Sequence, residues 1–477
     1  MLTLSGYQII EQIYQSSNSL IYRGYREGDD QPVVLKILRD AYPSPESIAC
    51  YQREYDIIHN LHLTGVVQVY ALEIHQQRPV LVLEDFGGSS LAQLQLAGEI
   101  ELEQFLNLAI SIVESLKQIH AANIIHKDIN PSNIVFNSDT RQVKIIDFGI
   151  STVLSRETQS FKNPNVLEGT ITYISPEQTG RMNRAIDYRS DFYSLGVTFY
   201  KLLTKEVPFE GDDALALIHC HIAKQPDQFK IQNSKFKNKQ PIPQVLCDIV
   251  MKLMAKNAED RYQSAFGIQA DLEQCLHQLQ TKGKIDVFAL GSQDVCDRFI
   301  IPQKLYGREP ELETLLAAFD RITNGTTELM LVAGFSGVGK SALVNEVHKP
   351  ITAKRGNFIT GKYDQYQRNI PYSAISQAFN ELCNQFLTES ESVLKQWQEK
   401  ILTAVGNNGQ VLIDVIPNFK LVIGEQPPVA VVGGQEAQNR FNLVFQNFIK
   451  AICLAEHPLV LFVDDLQWAD SASLKLL

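Results

Sequence analysis

The feature that most constrains this chain is an ordered series of five polar residues, each set in or beside an apolar run. The series comprises Lys36 in "VVLKIL", Glu54 in "REYDII", Asp128 and Asn133 in "HKDINPSN", and Asp147 in "IIDFG". Each motif is weak alone, because a lysine on a strand or a single DFG tripeptide also occurs by chance. Their order and spacing are far more specific, and carboxylate and amide oxygens are the ligands that Mg²⁺ prefers. The sequence therefore predicts a Mg²⁺-binding site built from distant parts of the chain.

The apolar pattern predicts a small unit rich in strands, followed by a larger helical unit. Strand-like runs such as "SLIYRGYR", "PVVLKIL" and "RPVLVLEDF" come first, with one helix at "PESIACYQREYDIIHNLH". Helical periods follow in "ELEQFLNLAISIVESLKQIHAA", "SDFYSLGVTFYKLLT" and "PQVLCDIVMKLMA". These patterns together predict an α+β fold with two lobes.

With these motifs the sequence resembles the protein-kinase family, whose bilobal fold agrees with the predicted outline. "GTITYISPE" extends the match, and these motifs occur in the order expected of the family. The resemblance implies that Lys36 pairs with Glu54 and binds the phosphates of ATP, and that Asp128 is the catalytic base. It also implies that Asn133, which belongs to the catalytic loop, and Asp147 bind Mg²⁺.

The resemblance further implies an adenine site between the lobes. "LVLEDFGG" corresponds to the hinge, with Leu83 as gatekeeper and Glu84 to Phe86 offering backbone groups to adenine. Val34 stands where a small alanine usually packs on adenine, which narrows the predicted slot.

Other positions correspond to the scaffold of a kinase domain. Thr170 would lie near Asp128, Glu177 would pair with Arg261, and Asp191 would support the catalytic loop. A catalytically inactive kinase would keep these contacts, so they do not decide whether the protein is active.

Several departures from the family pattern weaken the predicted handling of phosphate. The loop that folds over ATP has Tyr14, Ser16 and Ser19 at its glycine positions. Lys127 replaces an arginine that often grips a phosphorylated activation loop, and lysine lacks the bidentate fork of arginine. Asn130 stands where Ser/Thr kinases usually keep a lysine near the γ-phosphate. We expect a lid hairpin that is stiffer and less tightly closed than usual, with slow turnover.

The sequence leaves more than one function open. An active Ser/Thr protein kinase is favoured because the base and metal positions are filled, and because Pro131 and Thr170 follow the Ser/Thr pattern. The alternative is an ATP-binding pseudokinase that acts as a regulatory or scaffold module. A small-molecule kinase of the aminoglycoside type shares the "HxD…D" logic, but that family lacks the "GTxxYxxPE" pattern found here.

A second nucleotide-binding pattern, "GFSGVGKS", lies further along the chain. It follows the strand-like run "TELMLVAG" and precedes the helix-like "SALVNEVH", which is the context of a P-loop. Gly334, Gly337 and Gly339 would let backbone N–H groups wrap the phosphates. Lys340 would reach the β- and γ-phosphates, and Ser341 would bind Mg²⁺.

The apolar run "LVLFVDD" predicts a strand that ends in acidic residues. Asp464 resembles the Walker-B ligand of Mg²⁺, and Asp465 takes the place of the usual catalytic glutamate. "YGREPELETL" resembles the entry of AAA-type and STAND-type ATPases. The second unit is therefore predicted to be a partial α/β P-loop NTPase domain.

The predicted organisation is a kinase domain at 1–280, a linker at 281–304 and the P-loop domain at 305–477. The small lobe would span about 1–86 and the large lobe about 87–280. This order resembles large bacterial, especially cyanobacterial, multidomain signalling proteins. The resemblance implies downstream sensor or histidine kinase modules, or response regulators, as partners beside the Ser/Thr protein substrate. It also makes us expect a chain cut after Walker B.

Composition excludes some partners. A net charge of −11 argues against a nucleic-acid binder, which needs basic stripes. The seven cysteines are scattered without a CxxC pair, as in a reducing compartment. We find no signal peptide or membrane-spanning run, and expect a cytoplasmic protein.

Overall fold

The computed structural model describes most of the chain, and two units of secondary structure follow one another in it. The described residues are 4–477 except 17, 154–168, 181–183, 212, 238–239, 297–306, 336, 348–350, 352–355, 365–369, 388–390 and 455–456. Within those residues, no helix combines the length and the apolar character needed to cross a membrane.

A five-stranded antiparallel sheet forms the small lobe, with the strand order β1-β2-β3-β5-β4. The strands are β1 (Tyr7–Gln15), β2 (Ser19–Arg26), β3 (Gln31–Leu38), β4 (Val69–His75) and β5 (Arg78–Glu84). Side chains alternate along a strand. Val33, Leu35 and Ile37 therefore enter one apolar cluster, while Lys36 faces the other side of β3.

One helix, α1 (Pro45–His59), packs beside this sheet. The Ser44 side chain caps its N-terminus, and proline occupies the first turn, where a missing N–H costs nothing. Tyr51, Glu54 and Ile58 are its buried residues, and their spacing of three and four puts them on one face. The sequence period thus brings a glutamate to the sheet, as predicted.

Helices dominate the large lobe, with short strands near its junction with the small lobe. The strands are β6 (Ser89–Ser90), β7 (Ile124–Ile125), β8 (Ile134–Phe136), β9 (Val143–Ile145) and β10 (Thr152–Val153). The helices are α2 (Leu91–Leu94), α3 (Leu102–Ala121), α4 (Arg189–Thr204), α5 (Ala214–Ala223), α6 (Gln228–Asn233), α7 (Gln244–Leu253) and α8 (Ala265–Lys282). The buried faces of α3, α4, α7 and α8 share one hydrophobic core. The helices predicted at α3, α4 and α7 are thereby confirmed.

The segment after α8 packs against the large lobe. Ile285, Phe288 and Leu290 contact the hydrophobic core of the lobe. The Asp294 carboxylate accepts hydrogen bonds from the backbone N–H groups of Gln263, at 2.8 Å, and Ser264, at 2.9 Å. The predicted linker therefore begins as an ordered extension of the large lobe, and the predicted domain boundaries themselves stay a prediction.

The second unit pairs two parallel strands with a set of helices. Its strands are β11 (Asn357–Lys362) and β12 (Leu459–Asp464). Its helices are α9 (Glu309–Ile322), α10 (Lys340–Asn345), α11 (Ser373–Leu387), α12 (Glu391–Val405), α13 (Gly409–Val415), α14 (Phe419–Ile423), α15 (Gly434–Ile452) and α16 (Ser471–Leu476). Phe379, Phe419 and Phe448 are fully buried at the centre of its own core.

The strand predicted in "TELMLVAG" is wrong for this structure. Residues 326–335 form no strand, and Leu329 and Leu331 are 90% and 79% exposed. A strand needs a neighbouring edge for its backbone hydrogen bonds. Among the described residues of this unit, β11 and β12 pair only with each other, and neither pairs with this run.

Candidate active site

Lys36 lies at the centre of a three-residue cluster between sheet and helix. Its Nζ donates to both carboxylate oxygens of Glu54, at 2.7 and 3.0 Å, and to Oδ1 of Asp147, at 2.9 Å. Lys36 and Glu54 are buried, whereas the Asp147 side chain remains 44% exposed. The structure therefore joins β3, α1 and the segment after β9 in the arrangement that the motifs predicted.

Burial and charge shift the titration of all three groups. Burial lowers the pKa of Lys36, but the carboxylates of Asp147 and Glu54 outweigh it and raise that pKa well above its usual range. Burial raises the pKa of Glu54 to about 7, with Lys36 opposing the shift in part. Burial favours a higher pKa for Asp147 as well, but Lys36 holds that pKa below its ordinary value. The cluster thus keeps a charged lysine beside one firmly ionised carboxylate.

Asp128 is held by the groups around it. Its Oδ1 accepts from the backbone N–H of Thr170 at 2.9 Å, and its Oδ2 accepts from Nδ2 of Asn133 at 2.9 Å. The same Asn133 nitrogen donates to the Asp128 carbonyl at 2.9 Å. Because Nδ2 of Asn133 donates to Asp128, Oδ1 is the atom of Asn133 that would bind a metal.

Asn130 occupies the position where a lysine was expected, and it bridges the same loop. Its Nδ2 donates to the Asp128 carbonyl at 3.2 Å and to Oγ1 of Thr170 at 3.4 Å. Its Oδ1 accepts from the backbone N–H of Ser132 at 2.8 Å. Asn130 therefore connects the catalytic loop to Thr170 without adding a charge.

A buried aspartate on α4 fixes the backbone of this loop. Asp191 is fully buried, and its carboxylate accepts from the backbone N–H groups of His126, at 2.9 Å, and Lys127, at 2.7 Å. Lys127 has a φ of 69°, a left-handed conformation that costs energy for a residue with a side chain. The two hydrogen bonds from Asp191 stabilise that turn, as expected for its supporting role.

One buried ion pair and one hydrogen bond flank the segment that follows the catalytic loop. The guanidinium of Arg261 binds Glu177 through two contacts, at 2.6 and 2.9 Å, as predicted. Lys127 Nζ donates to Oγ1 of Thr152, which begins β10. Residues 154–168, which include much of the expected activation segment, lie outside the described residues.

The predicted hinge is braced by a lysine that sequence reasoning missed. Lys144 on β9 contacts both oxygens of Glu84, at 2.6 and 2.8 Å, and its Nζ lies 5.3 Å from the ring centroid of Phe86. The backbone N–H of Glu84 donates to Gln68, and the carbonyl of Phe86 accepts from Asn137. The Glu84 carbonyl and the Phe86 N–H would be the hinge groups offered to adenine. The signal in the sequence that could have revealed this contact was Lys144 itself, a charged residue inside the apolar run "VKII".

The lid is a β-hairpin, as predicted, and it forms without glycine geometry. Tyr14, Ser16 and Ser19 are all described, and none of the three has a positive φ. The Ser16 hydroxyl accepts from the backbone N–H groups of Asn18, at 3.2 Å, and Ser19, at 2.9 Å, which closes the turn between β1 and β2. A glycine's backbone freedom is therefore not required at these positions.

In the second unit, the predicted P-loop and Walker-B residues lie together. The Ser341 hydroxyl is 3.2 Å from Oδ2 of Asp464, and Lys340 Nζ donates to the carbonyls of Gly334 and Phe335, both at 3.1 Å. Gly337 and Gly339 have φ values of 80° and 91°, which favour glycine. Asp464 ends β12, so the strand places its carboxylate at the start of α10.

The family model for the protein kinase domain matches residues 7–278. The chain belongs to the protein kinase family. A second family model, for an AAA ATPase domain, matches residues 304–477. The expected fold, a bilobal kinase domain followed by a P-loop ATPase domain, is thereby confirmed.

Several curated relatives share the kinase domain. A probable serine/threonine-protein kinase of Clostridium perfringens is 31% identical over 56% of this chain and 38% of its own length. The serine/threonine-protein kinase PknL of Mycobacterium tuberculosis is 31% identical over 58% of this chain and 67% of its own length. The hybrid signal transduction histidine kinase G of Dictyostelium discoideum is 33% identical over 80% of this chain. The chain spans only 13% of that last relative.

In this kinase domain the structure brings together every residue predicted for phosphate and metal binding. Lys36, Glu54 and Asp147 form one cluster, and Asp128 and Asn133 form a second. Their roles toward ATP and Mg²⁺ stay predictions. Sequence reasoning missed the contact of Lys144 with Glu84, because no motif of the family records it.

Proposed function

We propose that this protein is a Ser/Thr protein kinase that uses ATP and Mg²⁺. The observation that carries the proposal is the contact of Lys36 with both Glu54 and Asp147, at 2.7 to 3.0 Å. In kinases the Lys–Glu ion pair and the DFG aspartate must both be in place for phosphoryl transfer. Relatives named serine/threonine-protein kinases support the substrate class.

The residues of the site suit the chemistry of hydroxyl phosphorylation. Asp128 would accept the proton of a Ser or Thr hydroxyl as its oxygen forms the bond to the γ-phosphorus and ADP leaves. Asn133 and Asp147 offer the hard oxygen atoms that fit Mg²⁺, which would neutralise phosphate charge. Lys36 would orient the phosphates, and the backbone of Glu84 and Phe86 would bind adenine.

The alternative is a pseudokinase that binds ATP and regulates the adjacent ATPase domain. The altered lid and Asn130 favour it, since both remove groups that handle phosphate in typical kinases. The assembled cluster around Lys36 and the held carboxylate of Asp128 favour the enzyme.

We infer a second ATP site in the AAA ATPase domain. Gly334, Gly337 and Gly339 would wrap the phosphates, Lys340 would bind them, and Ser341 with Asp464 would hold Mg²⁺. The contact between Ser341 and Asp464 at 3.2 Å supports a shared ligand site.

The wider setting we propose is signal transduction. The partners would be a Ser/Thr protein substrate and sensor or histidine kinase modules or response regulators, in a protein of the cyanobacterial multidomain type. The relative from Dictyostelium, named a hybrid signal transduction histidine kinase, supports this setting. A cytoplasmic location is supported by the seven cysteines, all of which are free thiols.

The experiment that tests the kinase proposal is γ-phosphate transfer by the purified chain to itself or to a generic Ser/Thr substrate. Asp128→Asn should lower the rate by about 10²-fold or more, because it removes the base. Asp139→Asn, at an exposed aspartate of the same segment, is the matched control and should keep the wild-type rate. Equal incorporation by wild type and Asp128→Asn would favour the pseudokinase.

A further inference from the structure

A buried hydrogen bond joins the lid to the helix that carries Glu54. The hydroxyls of Ser19 and Tyr51 lie 2.8 Å apart, and the two residues are 8% and 4% exposed. Ser19 is the last of the three lid positions where the kinase family usually has glycine. A glycine there has no hydroxyl, so this contact exists because of the departure from the family pattern.

Tyr51 occupies a position from which it influences the phosphate-binding cluster. It lies one turn before Glu54 on the buried face of α1, and its ring centroid is 5.4 Å from Lys36 Nζ. Burial raises the pKa of Tyr51 to about 12, so its hydroxyl stays protonated near neutral pH. One side chain therefore contacts the lid and lies beside the lysine expected to bind phosphate.

We propose that Ser19 and Tyr51 are positioning residues that hold the lid over the ATP phosphates by anchoring it to α1. The inference rests on the proposed kinase function, because it assigns these residues to the same ATP site. In a glycine-rich loop, the close approach of the backbone to the phosphates fixes the position of the loop. In this lid, the hydrogen bond between Ser19 and Tyr51 fixes that position instead.

Two further contacts hold the hairpin at other points. Nε2 of Gln93, on α2 of the large lobe, donates to the Ile13 carbonyl at 3.0 Å. Nε of Arg23, on β2, donates to Asp85 in the hinge at 2.7 Å. The hairpin is also paired with β3 along β2, and the backbone N–H of Arg39 donates to the Asn18 carbonyl at 2.9 Å. To these contacts the Ser19 hydroxyl adds a side-chain attachment to α1.

The proposal predicts that restoring the family glycine is harmful. Ser19→Gly, Ser19→Ala and Tyr51→Phe should each weaken ATP binding about threefold to tenfold, the value of one lost hydrogen bond. The double variant Ser19→Ala/Tyr51→Phe should be no worse than either single variant, because all of them remove the same contact. The KM for ATP should rise while the KM for the protein substrate stays unchanged.

The measurement is the Kd for ATP·Mg²⁺ by calorimetric titration of the full chain carrying Lys340→Ala, so that the second site does not contribute. Tyr51→Phe keeps the ring and its packing, and a melting curve verifies that the variant is folded. Tyr55→Phe is the matched control, since its ring stacks on His59 on the same helix, and its Kd should not change.

The outcomes separate this inference from the kinase proposal. If the wild type binds ATP but transfers no phosphate, the kinase proposal fails, while the Kd values still test the lid contact. An unchanged or tighter Kd in Ser19→Gly and Tyr51→Phe would overturn the positioning role. A wild-type chain that binds no ATP at the kinase site would overturn both.

Discussion

Glu54 is the residue through which pH acts most directly on the proposed active site. Burial raises its pKa to about 7, so its carboxylate loses charge as the pH falls through that value. Protonated Glu54 no longer forms an ion pair with Lys36, and the ion pair of Lys36 with Asp147 then remains. The geometry of the phosphate-binding lysine should therefore be pH-dependent.

We predict that the rate of phosphate transfer rises with pH through about 7. In Glu54→Gln this rise should be absent, and the rate should be low and independent of pH.

The stability of the protein should depend on pH in the opposite direction. Because the pKa of Glu54 is raised by folding, its contribution to the free energy of unfolding is full below the ordinary glutamate pKa and is lost as the pH rises through about 7. Rate profiles and urea titrations at several pH values test both signs. A profile for Glu54→Gln parallel to that of the wild type would contradict the assignment.

At the residue scale, the sequence predicted the residues expected to carry the chemistry better than the residues that hold them in place. Motif spacing located Lys36, Glu54 and Asp128, because a family pattern records which side chains meet. It gave no indication of Lys144 or Tyr51, whose partners are set by strand register and helix rotation. The hydroxyl of Ser19 looked like a defect in a glycine loop until the position of α1 was known.

At the scale of elements, the pair of Glu177 and Arg261 ties the segment before α4 to the turn before α8. Both side chains are at most 4% exposed, and Ser190 also donates to Glu177 at 2.6 Å. Burial favours a higher pKa for Glu177, but Arg261 lowers it to about 2. The pair therefore remains ionised near neutral pH.

Glu177→Gln should lower the free energy of unfolding by about 3–5 kcal/mol, because it leaves the charge of Arg261 buried without its counter-ion. The wild-type contribution is present above the ordinary glutamate pKa and is lost as the pH falls toward 2. Urea denaturation at neutral pH measures the difference. Glu206→Gln, which breaks the exposed pair with Lys230, is the control and should change nothing measurable. Equal stability of both variants would show that the buried pair is dispensable.

Elements with a strong period were predicted well, and the exception has a physical cause. The helical period in α3 fixes its structure locally, because that helix buries one apolar face. The run "TELMLVAG" is equally apolar, yet it forms no strand among the described residues. Apolar character marks a segment that favours burial, whereas a strand also depends on where neighbouring strands lie.

At the scale of the whole molecule, one arginine joins the two units. Arg184 follows the Glu177 segment of the kinase domain, and its guanidinium binds Glu259 of the same domain at 2.7 Å. It also binds Glu346, the residue that follows the last residue of α10, at 3.2 Å. Because α10 begins at Lys340 and Ser341, the bridge links the helix of the proposed second ATP site to the kinase domain.

Glu346→Gln removes only the arm of this bridge that crosses between the units, since the contact of Arg184 with Glu259 remains. We expect α10 to lose hydrogen-exchange protection in that variant, because its C-terminal end is no longer held to the kinase domain. Glu313→Gln changes an exposed glutamate on α9 and should leave the protection of α10 unchanged. Exchange followed by mass spectrometry, with and without ATP·Mg²⁺, measures both variants. If α10 is equally protected in Glu346→Gln and in the wild type, the bridge does not restrain the P-loop helix, and the two nucleotide sites must communicate through other contacts or not at all.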